Sequence, residues 1–388
     1  MPLLVSTASA VGANPRTTPP VGTQVAELKG SDTVAGDGFG VSVAISDTTI
    51  VVGALVHANK AGRAYVFTKT GASWRQTADL KGSGTVAGDY FGESLAISGT
   101  RIIVGAGGHA KSAGRAYVFT KTGASWRQTA ELKGSDTVAG DYFGESLAIS
   151  GATIIVGAGG HAKSGGRAYV FTDTARGWEQ VAELKGSDTV ASDGFGSSAA
   201  ISGTTVIVGA DGHAKSAGRA YVFTDTASGW KQVAELKGSD TVAGDGFGVS
   251  LVASGTTAVV GAPLHAKDAG RAYVFTKTAA SWKQAAELKG SDTGADDGFA
   301  WSVAISGTTA VVGTPFHAKS AGRAYVFAKT ATSWKQAAEL KGSDTVANDY
   351  FAYSVAISGT TAVVGAPYSD QAVPTPANAI GKAYVFEA

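Results

Sequence analysis

The chain has 388 residues, and its 32 basic side chains nearly balance its 31 acidic ones, which leaves a net charge of +1. This balance argues against a surface that binds nucleic acid or an anionic membrane. The absence of cysteine excludes disulfides, thiolate metal sites and a cysteine nucleophile. No apolar stretch approaches the roughly 18 residues of a membrane-spanning helix, so no membrane insertion is expected.

Residues 1–21 precede the regular part of the sequence, and we predict that they form a flexible N-terminal leader. The first ten, MPLLVSTASA, end in small residues as signal-peptide cleavage sites do, but they lack a basic start and their apolar run is short. Two interpretations stay open: the remnant of an export signal, or a leader rich in Thr and Pro that continues to Pro20.

From residue 22 onwards a 52-residue unit recurs seven times, and repetition at a period of this size indicates a solenoid, a propeller or an array. One phenylalanine marks each copy: Phe39, Phe91, Phe143, Phe195, Phe247, Phe299 and Phe351. Residues 22–388 are therefore predicted to form a single domain.

Within the second copy, turn residues separate four segments that are typical of short strands: 93–98, 101–106, 115–120 and 126–132. The second and third segments are apolar on both faces, whereas the fourth alternates between apolar and polar residues and is predicted to lie outermost. A unit this small cannot bury two sheet faces alone, but seven units in a circle can. We predict an all-β fold, a seven-bladed β-propeller of four-stranded blades.

The two ends of the repeat region predict how the ring closes. It begins at residues 24–30 with a copy of the fourth strand and ends at residues 381–388 with a copy of the third. We therefore predict that the N-terminal strand completes the last blade, which removes two open sheet edges.

These units resemble the FG-GAP repeat of integrin α-subunit heads and of many bacterial surface proteins. The first signature occurs as Phe39-Gly40 and in the next four copies, with Ala300 and Ala352 replacing the glycine in the last two. The second is complete at residues 261–263 and 365–367. The resemblance implies an extracellular or cell-surface location. A more distant similarity to integrin-like fungal lectins suggests glycan binding by analogy.

Members of this family often bind calcium through an Asp-rich loop between the first and second strands. In this chain that loop is only Ser-Gly-Thr-Thr, as at residues 202–205, and Asp47 is an isolated acid. Calcium requires six to eight oxygen ligands. We therefore predict no metal and no cofactor.

Loops of a propeller alternate between its two faces, so the loop before the first strand shares a face with the loop between the second and third strands. We call it the Asp/His face, because equivalent positions of these loops carry Asp, His and Lys, and some blades add Tyr. The candidate ligand-binding residues are Asp37, Asp89, Asp141, Asp193, Asp245, Asp297, His57, His109, His161, His213, His265, His317, Lys111, Lys163, Lys215, Lys267, Lys319, Tyr90 and Tyr142. In the seventh blade Ser369 replaces the histidine, in a loop seven residues longer than its equivalents.

The same residues have structural interpretations. An Asp before a Gly-Phe turn often bonds its own backbone two residues further on, and a loop His often bonds a neighbouring carbonyl. Six tryptophans that begin the outer strands, such as Trp74, are predicted to pack between blades, although a lectin could stack sugars on them. Trp301 is predicted to be inner packing, and the arginines that begin the third strands, such as Arg63, are predicted to form inter-blade ion pairs.

Repeated equivalent pockets suit multivalent binding. We therefore expect a lectin-like or adhesive binding module whose partner is a glycan or a surface protein. The alternative is a non-enzymatic structural or protein–protein scaffold of a bacterial surface. No copy shows a distinct catalytic constellation, so we do not expect an enzyme. The sequence leaves the oligomeric state open.

Overall fold

The computed structural model describes residues 19–279, 281–369 and 379–388. Over these residues the chain forms seven four-stranded antiparallel sheets, and each sheet is one blade of a propeller. The predicted all-β, seven-bladed fold is confirmed. Most of the predicted leader, and most of the longer loop of the seventh blade, lie outside the described residues.

The blades are numbered in chain order, and each consists of an innermost, a second, a third and an outer strand. The innermost strands are β2 (Phe39–Ser46), β6 (Leu95–Ser98), β10 (Leu147–Ser150), β14 (Ala199–Ser202), β18 (Leu251–Ser254), β22 (Ser302–Ser306) and β26 (Ser354–Ser358). The second strands are β3 (Thr49–Ala54), β7 (Arg101–Ala106), β11 (Thr153–Ala158), β15 (Thr205–Ala210), β19 (Thr257–Ala262), β23 (Thr309–Thr314) and β27 (Thr361–Ala366).

The third strands are β4 (Arg63–Thr70), β8 (Arg115–Thr122), β12 (Arg167–Thr174), β16 (Arg219–Thr226), β20 (Arg271–Lys277), β24 (Arg323–Lys329) and β28 (Lys382–Glu387). The outer strands are β5 (Ser73–Leu80), β9 (Ser125–Leu132), β13 (Gly177–Leu184), β17 (Gly229–Leu236), β21 (Trp282–Leu288) and β25 (Trp334–Leu340), with β1 (Gln24–Leu28) in the seventh blade. Short helical turns join the second and third strands of six blades: α1 (His57–Lys60), α2 (His109–Ser112), α3 (His161–Ser164), α4 (His213–Ser216), α5 (His265–Asp268) and α6 (His317–Ser320).

The hydrophobic core lies between neighbouring blades. The cluster between blades 2 and 3, for example, joins Ile103 and Val118 of one blade to Ile154 and Val156 of the next. Phe143 is fully buried in this cluster, with its ring centroid 5.5 Å from that of Tyr169. Each apolar strand face therefore needs the adjacent blade in order to leave water, which is why one unit cannot fold alone.

Close backbone contacts lock neighbouring blades together on the Asp/His face. Gly62 of blade 1 forms a parallel bridge with Phe91 of blade 2, and a Cβ on Gly62 would lie 1.9 Å from the Phe91 carbonyl oxygen. The Ser42 hydroxyl donates to the Gly92 carbonyl at 2.6 Å across the same junction. Because no side chain fits at Gly62, and its φ of +82° is unfavourable for other residues, glycine is required there.

The N-terminal strand completes the seventh blade, as predicted. Strand β1 pairs with β28 in antiparallel register, so that Leu28 lies opposite Ala383. The Ser354 hydroxyl then donates to the Gly40 carbonyl at 2.8 Å, which joins the seventh blade to the first. Among the described residues no helix is long and apolar enough to cross a membrane.

Deletion of residues 22–30 should sharply lower the melting temperature. The deletion removes β1, leaves the edge of β28 unpaired and exposes the core that Leu28 covers. Calorimetric unfolding of the purified protein measures the effect, and an unchanged melting temperature would contradict this role of β1.

Two point variants of β1 test whether burial of the Leu28 side chain stabilises the seventh blade. Leu28→Ala should cost about 2–5 kcal/mol in the free energy of unfolding, because Leu28 is buried. Val25→Ala on the same strand should cost less than about 1 kcal/mol, because Val25 is exposed.

Candidate functional site

Five of the six aspartates selected from the sequence are buried beneath the surface of the Asp/His face, and Asp297 is half-buried. Asp141 is buried, and its Oδ2 accepts a hydrogen bond from the Val138 backbone N–H at 2.7 Å. The same oxygen lies 2.8 Å from Nδ1 of His161. The aspartate thus bonds the backbone of its own loop, but three residues before it and not two residues after it as expected. The partner of the histidine is this carboxylate. Their predicted role in ligand binding stays a prediction.

The Asp–His contact recurs in every blade that has the histidine, with separations of 2.8–2.9 Å. The pairs are Asp37–His57, Asp89–His109, Asp141–His161, Asp193–His213, Asp245–His265 and Asp297–His317.

A second carboxylate, which the sequence analysis did not single out, lies on the other side of most of these rings. Oδ2 of Asp136 is 3.6 Å from Nε2 of His161, and its Oδ1 accepts a hydrogen bond from the Tyr169 hydroxyl at 2.7 Å. The Ser-Asp-Thr sequence that recurs in this loop is the feature of the sequence that could have indicated this second carboxylate. In the first blade, the hydroxyl of Tyr65 and the ring of His57 lower the pKa of the equivalent Asp32.

Blade 2 lacks this second carboxylate, because Gly84 occupies its position. The hydroxyl oxygen of Tyr117, which corresponds to that of Tyr169, is buried and has no hydrogen-bond partner. Burial raises the pKa of Tyr117 well above its usual range. Blade 2 therefore naturally lacks the Asp–Tyr hydrogen bond.

The helical turns carry the lysines and have an unusual backbone. In α2, residues Ala110, Lys111 and Ser112 have φ values of 53°, 61° and 63°, in the left-handed region. This conformation costs roughly 1–2 kcal/mol per residue for L-amino acids. It directs the Ser112 carbonyl at the next blade, where it accepts the Tyr142 N–H at 2.8 Å. The lysine side chain is left exposed.

The three tyrosines of the first loops have different surroundings. Tyr142 is 47% exposed, and Nζ of Lys60 lies 5.7 Å from the ring centroid of Tyr90. Tyr350 instead contacts the rings of Phe316 and Tyr368, with centroids 5.8 and 5.1 Å away. Tyr90 and Tyr142 therefore offer aromatic surface beside the helical turn of the preceding blade, whereas Tyr350 belongs to an aromatic cluster.

The sequence profile of the FG-GAP repeat family matches seven consecutive segments that together cover most of the chain. They are residues 23–67, 74–119, 126–171, 178–223, 230–275, 282–327 and 334–386.

The chain belongs to the FG-GAP repeat family. FG-GAP propellers are typical of extracellular and surface proteins, and membership suggests a binding or interaction scaffold. A search of curated proteins found no significant match.

One sequence prediction about this FG-GAP propeller is wrong. Arg115 pairs with Glu131 at 2.9 Å on the neighbouring strand of its own blade, and so do its equivalents, so these ion pairs do not join blades. Trp301 packs near the axis, where its ring contacts those of Phe316 and Tyr353, and it is half-buried at the opening of the central channel. Trp178 and its equivalents do pack against the inter-blade clusters.

Two glutamates that the sequence analysis did not select, Glu93 and Glu145, lie at the ends of the first loops of blades 2 and 3. Glu93, predicted to begin a strand, lies in the turn before β6 and accepts the Gly107 N–H. Burial raises the pKa of Glu93 to about 8 and that of Glu145 to about 7. Among the residues that the structure describes, no three His, Asp or Glu side chains form a group suited to a metal ion.

Tyrosine-to-phenylalanine variants test the Asp–Tyr hydrogen bond. Tyr169→Phe should destabilise the protein by about 1–3 kcal/mol, because it removes a bond to a charged group. Tyr117→Phe should be neutral or stabilising, because it removes a hydroxyl that has no partner. Urea unfolding of both variants gives the comparison, and equal losses would contradict the assignment.

The two glutamates should make stability depend on pH. A carboxyl whose pKa is raised on folding favours the folded state while it is protonated, so its contribution decreases as the pH rises from about 4.3 to the folded pKa. We expect Glu93→Gln with Glu145→Gln to stabilise the protein progressively more from pH 5 to pH 8. Unfolding free energies at both pH values measure this, and a pH-independent difference would contradict it.

Proposed function

We propose that this FG-GAP propeller is a multivalent, lectin-like protein of the cell exterior that binds carbohydrate in the notches between blades on its Asp/His face. A notch is the space between the helical turn of one blade and the first loop of the next. The observation that carries the proposal is the conformation and exposure of Tyr142. The proposal includes no catalytic activity.

Tyr142 has a φ of 56° and Tyr90 a φ of 58°, in the left-handed region that favours glycine. Four other blades have glycine there: Gly38, Gly194, Gly246 and Gly298. A bulky residue in this region is strained by roughly 1–3 kcal/mol. Burial of Tyr142 does not offset this cost, because nearly half of its surface is exposed. Strained, exposed side chains cluster at ligand sites.

The surroundings of Tyr142 suit a sugar. Its ring offers an apolar surface with a polar hydroxyl. The turn that carries Lys111 is fixed next to it by the hydrogen bond from the Tyr142 N–H to Ser112. An aromatic surface with a few polar groups is the usual composition of a small-molecule site. The exposed lysine can donate hydrogen bonds to sugar hydroxyls.

Repetition around the ring would raise the avidity of weak sites. The helical turn recurs in six blades, five of which have a lysine at the position of Lys111, and each copy contacts the next blade through backbone hydrogen bonds. A rigid disc with several weak sites binds a glycan-covered surface far more tightly than one site alone. A soluble monosaccharide would gain nothing from this repetition.

One observation favours the alternative of a protein-binding scaffold. A ring of valines at equivalent positions of the first loops is 61–64% exposed: Val34, Val86, Val138, Val190, Val242 and Val346. Exposed apolar side chains gathered on one face are characteristic of protein interaction surfaces. A protein partner would use these valines, whereas a sugar in the notch would depend on the tyrosines.

The double variant Tyr90→Gly with Tyr142→Gly tests the proposal on a glycan array and by titration calorimetry. We expect the wild-type protein to bind at least one glycan class, and the variant to bind it at least about tenfold more weakly. The variant should fold, because glycine occupies the same position in four other blades and relieves the strain.

Val190→Ser is the matched control, because it removes an exposed apolar side chain of a blade that has no tyrosine. It should leave glycan binding unchanged. Absence of any glycan binding by the wild type, or equal binding by the tyrosine variant, would contradict the proposal.

A further inference from the structure

The third and outer strands of a blade are joined by a hairpin on the face opposite the Asp/His face, and a groove lies between this hairpin and the preceding blade. Between blades 4 and 5 the groove contains a cavity of about 240 Å³, which we call the hairpin groove. Thr224 and Val233 line it from blade 4, and Lys277, Ser281 and Trp282 line it from blade 5. Sites for drug-sized ligands begin at roughly 300 Å³, so this cavity suits a ligand with a single ring.

The hairpin groove has an apolar surface on each side. Val233 is 54% exposed, and blade 2 carries Thr129 at the equivalent position. Trp282 is half-buried and packs against the hydrophobic cluster between blades 4 and 5. Because its Nε1 atom is buried, a ligand in the groove would meet the ring carbons and not the indole N–H. An indole surface and a valine in one cavity accommodate a flat apolar ring.

The valine also changes the hydrogen bonding of a neighbouring threonine. In blade 2 the hydroxyl oxygens of Thr120 and Thr129 lie 2.9 Å apart and share a hydrogen bond. The equivalent residues of blade 4 are Thr224 and Val233. Valine has no hydroxyl, so Thr224 loses this partner, and its own hydroxyl can donate a hydrogen bond to a ligand in the groove.

The charged groups of the hairpin groove are cations. Nζ of Lys277 lies 3.4 Å from the Thr205 hydroxyl oxygen, so the ammonium group reaches across the groove to blade 4. Within the described part of the chain, no carboxylate forms an ion pair with Lys277. Lys231, the cross-strand partner of Thr224, is exposed and adds a second cation on the side of blade 4. An anion in the groove would therefore meet two positive charges.

The neighbouring groove, between blades 3 and 4, has the same apolar residues and the opposite charge. Its valine is Val181 and its tryptophan is Trp230. At the positions of the two lysines it has Glu179 and Asp225. Blades of the same fold thus carry either sign of charge at these positions, so packing of the propeller does not require the lysines. Their presence beside an apolar cavity points to a ligand.

We propose that the hairpin groove binds a small organic carboxylate whose acid group is attached to an apolar six-membered ring. The ring would pack against Trp282 and Val233, and the carboxylate would accept a charge-assisted hydrogen bond from Lys277. The Thr224 hydroxyl would donate to the other carboxylate oxygen. A neutral ligand would leave the lysine without an anion, and a cation would be repelled. The groove lies on the face opposite the notches, so this proposal does not depend on carbohydrate binding.

The test is isothermal titration calorimetry of the full chain with phenylacetate, with neutral phenylacetamide and with the sugar acid glucuronate. Phenylacetate should bind at least about fivefold more tightly than either of the other probes, because only phenylacetate combines a carboxylate with an apolar ring. Lys277→Asp introduces the residue that blade 4 carries, Asp225, and should weaken phenylacetate binding by about fivefold or more. Val233→Thr should restore the hydroxyl pair of blade 2 and weaken it by about threefold or more.

Lys185→Asp is the matched control, because it makes the same charge change on an exposed residue at the other end of an outer strand. It should leave phenylacetate binding unchanged, and thermal melts should show that all variants are folded. Lack of phenylacetate binding at millimolar concentration would overturn the proposal. Equal or tighter binding of phenylacetamide or glucuronate, or undiminished binding by folded Lys277→Asp, would do so as well.

Discussion

The fold depends on the approach of backbone to backbone at the junction of consecutive blades. At each junction a glycine lies so close to the Phe of the next blade that a Cβ would come within 1.8–2.1 Å of its carbonyl oxygen. The last of these contacts, between Gly381 and Phe39, joins the two ends of the ring. This proximity allows the apolar faces of adjacent sheets to exclude water from the core between them. The phenylalanine and the glycine of the repeat are therefore two parts of one contact.

The backbone contacts at these junctions hold the loops of the Asp/His face in place. The left-handed turns point their carbonyls at the N–H groups of the following blade, and inter-blade hydrogen bonds and packing offset the cost of this conformation. Beneath them the buried aspartates hold the histidine rings in place. What remains at the surface is the lysine of each turn, the second carboxylate, the exposed valine and, in two notches, a tyrosine. A ligand on this face would meet these groups before it met the buried Asp–His pairs.

Much of the architecture could be predicted because repetition multiplies a weak signal. The period, the order of the four strands and the closure by residues 24–30 follow from patterns that recur in every copy. The partners of Trp301 could not be predicted, for the opposite reason: it occurs in one blade only, so no equivalent residue indicates which rings it contacts. The intra-blade pairing of Arg115 with Glu131 depends on strand register, which apolar alternation does not specify. The second carboxylate was overlooked because an aspartate recurs at both positions, in six copies for Asp136 and in seven for Asp141, and only the fold shows which of them is buried.

The number of blades, their composition and the way in which the ring closes can all be derived from the sequence alone, because these properties are periodic and each unit needs its neighbours for burial. Which groups meet across the ring depends on the three-dimensional fold. The fold brings Ser146 and Trp301, which are 155 residues apart, to one opening of the central channel. It also gathers Trp301, Phe316 and Tyr353, each of which occurs in one blade only, into one aromatic cluster. Because the ring is closed, blades that are far apart in the sequence face each other across a narrow central axis. A comparison of the aligned repeats does not show which blades face each other.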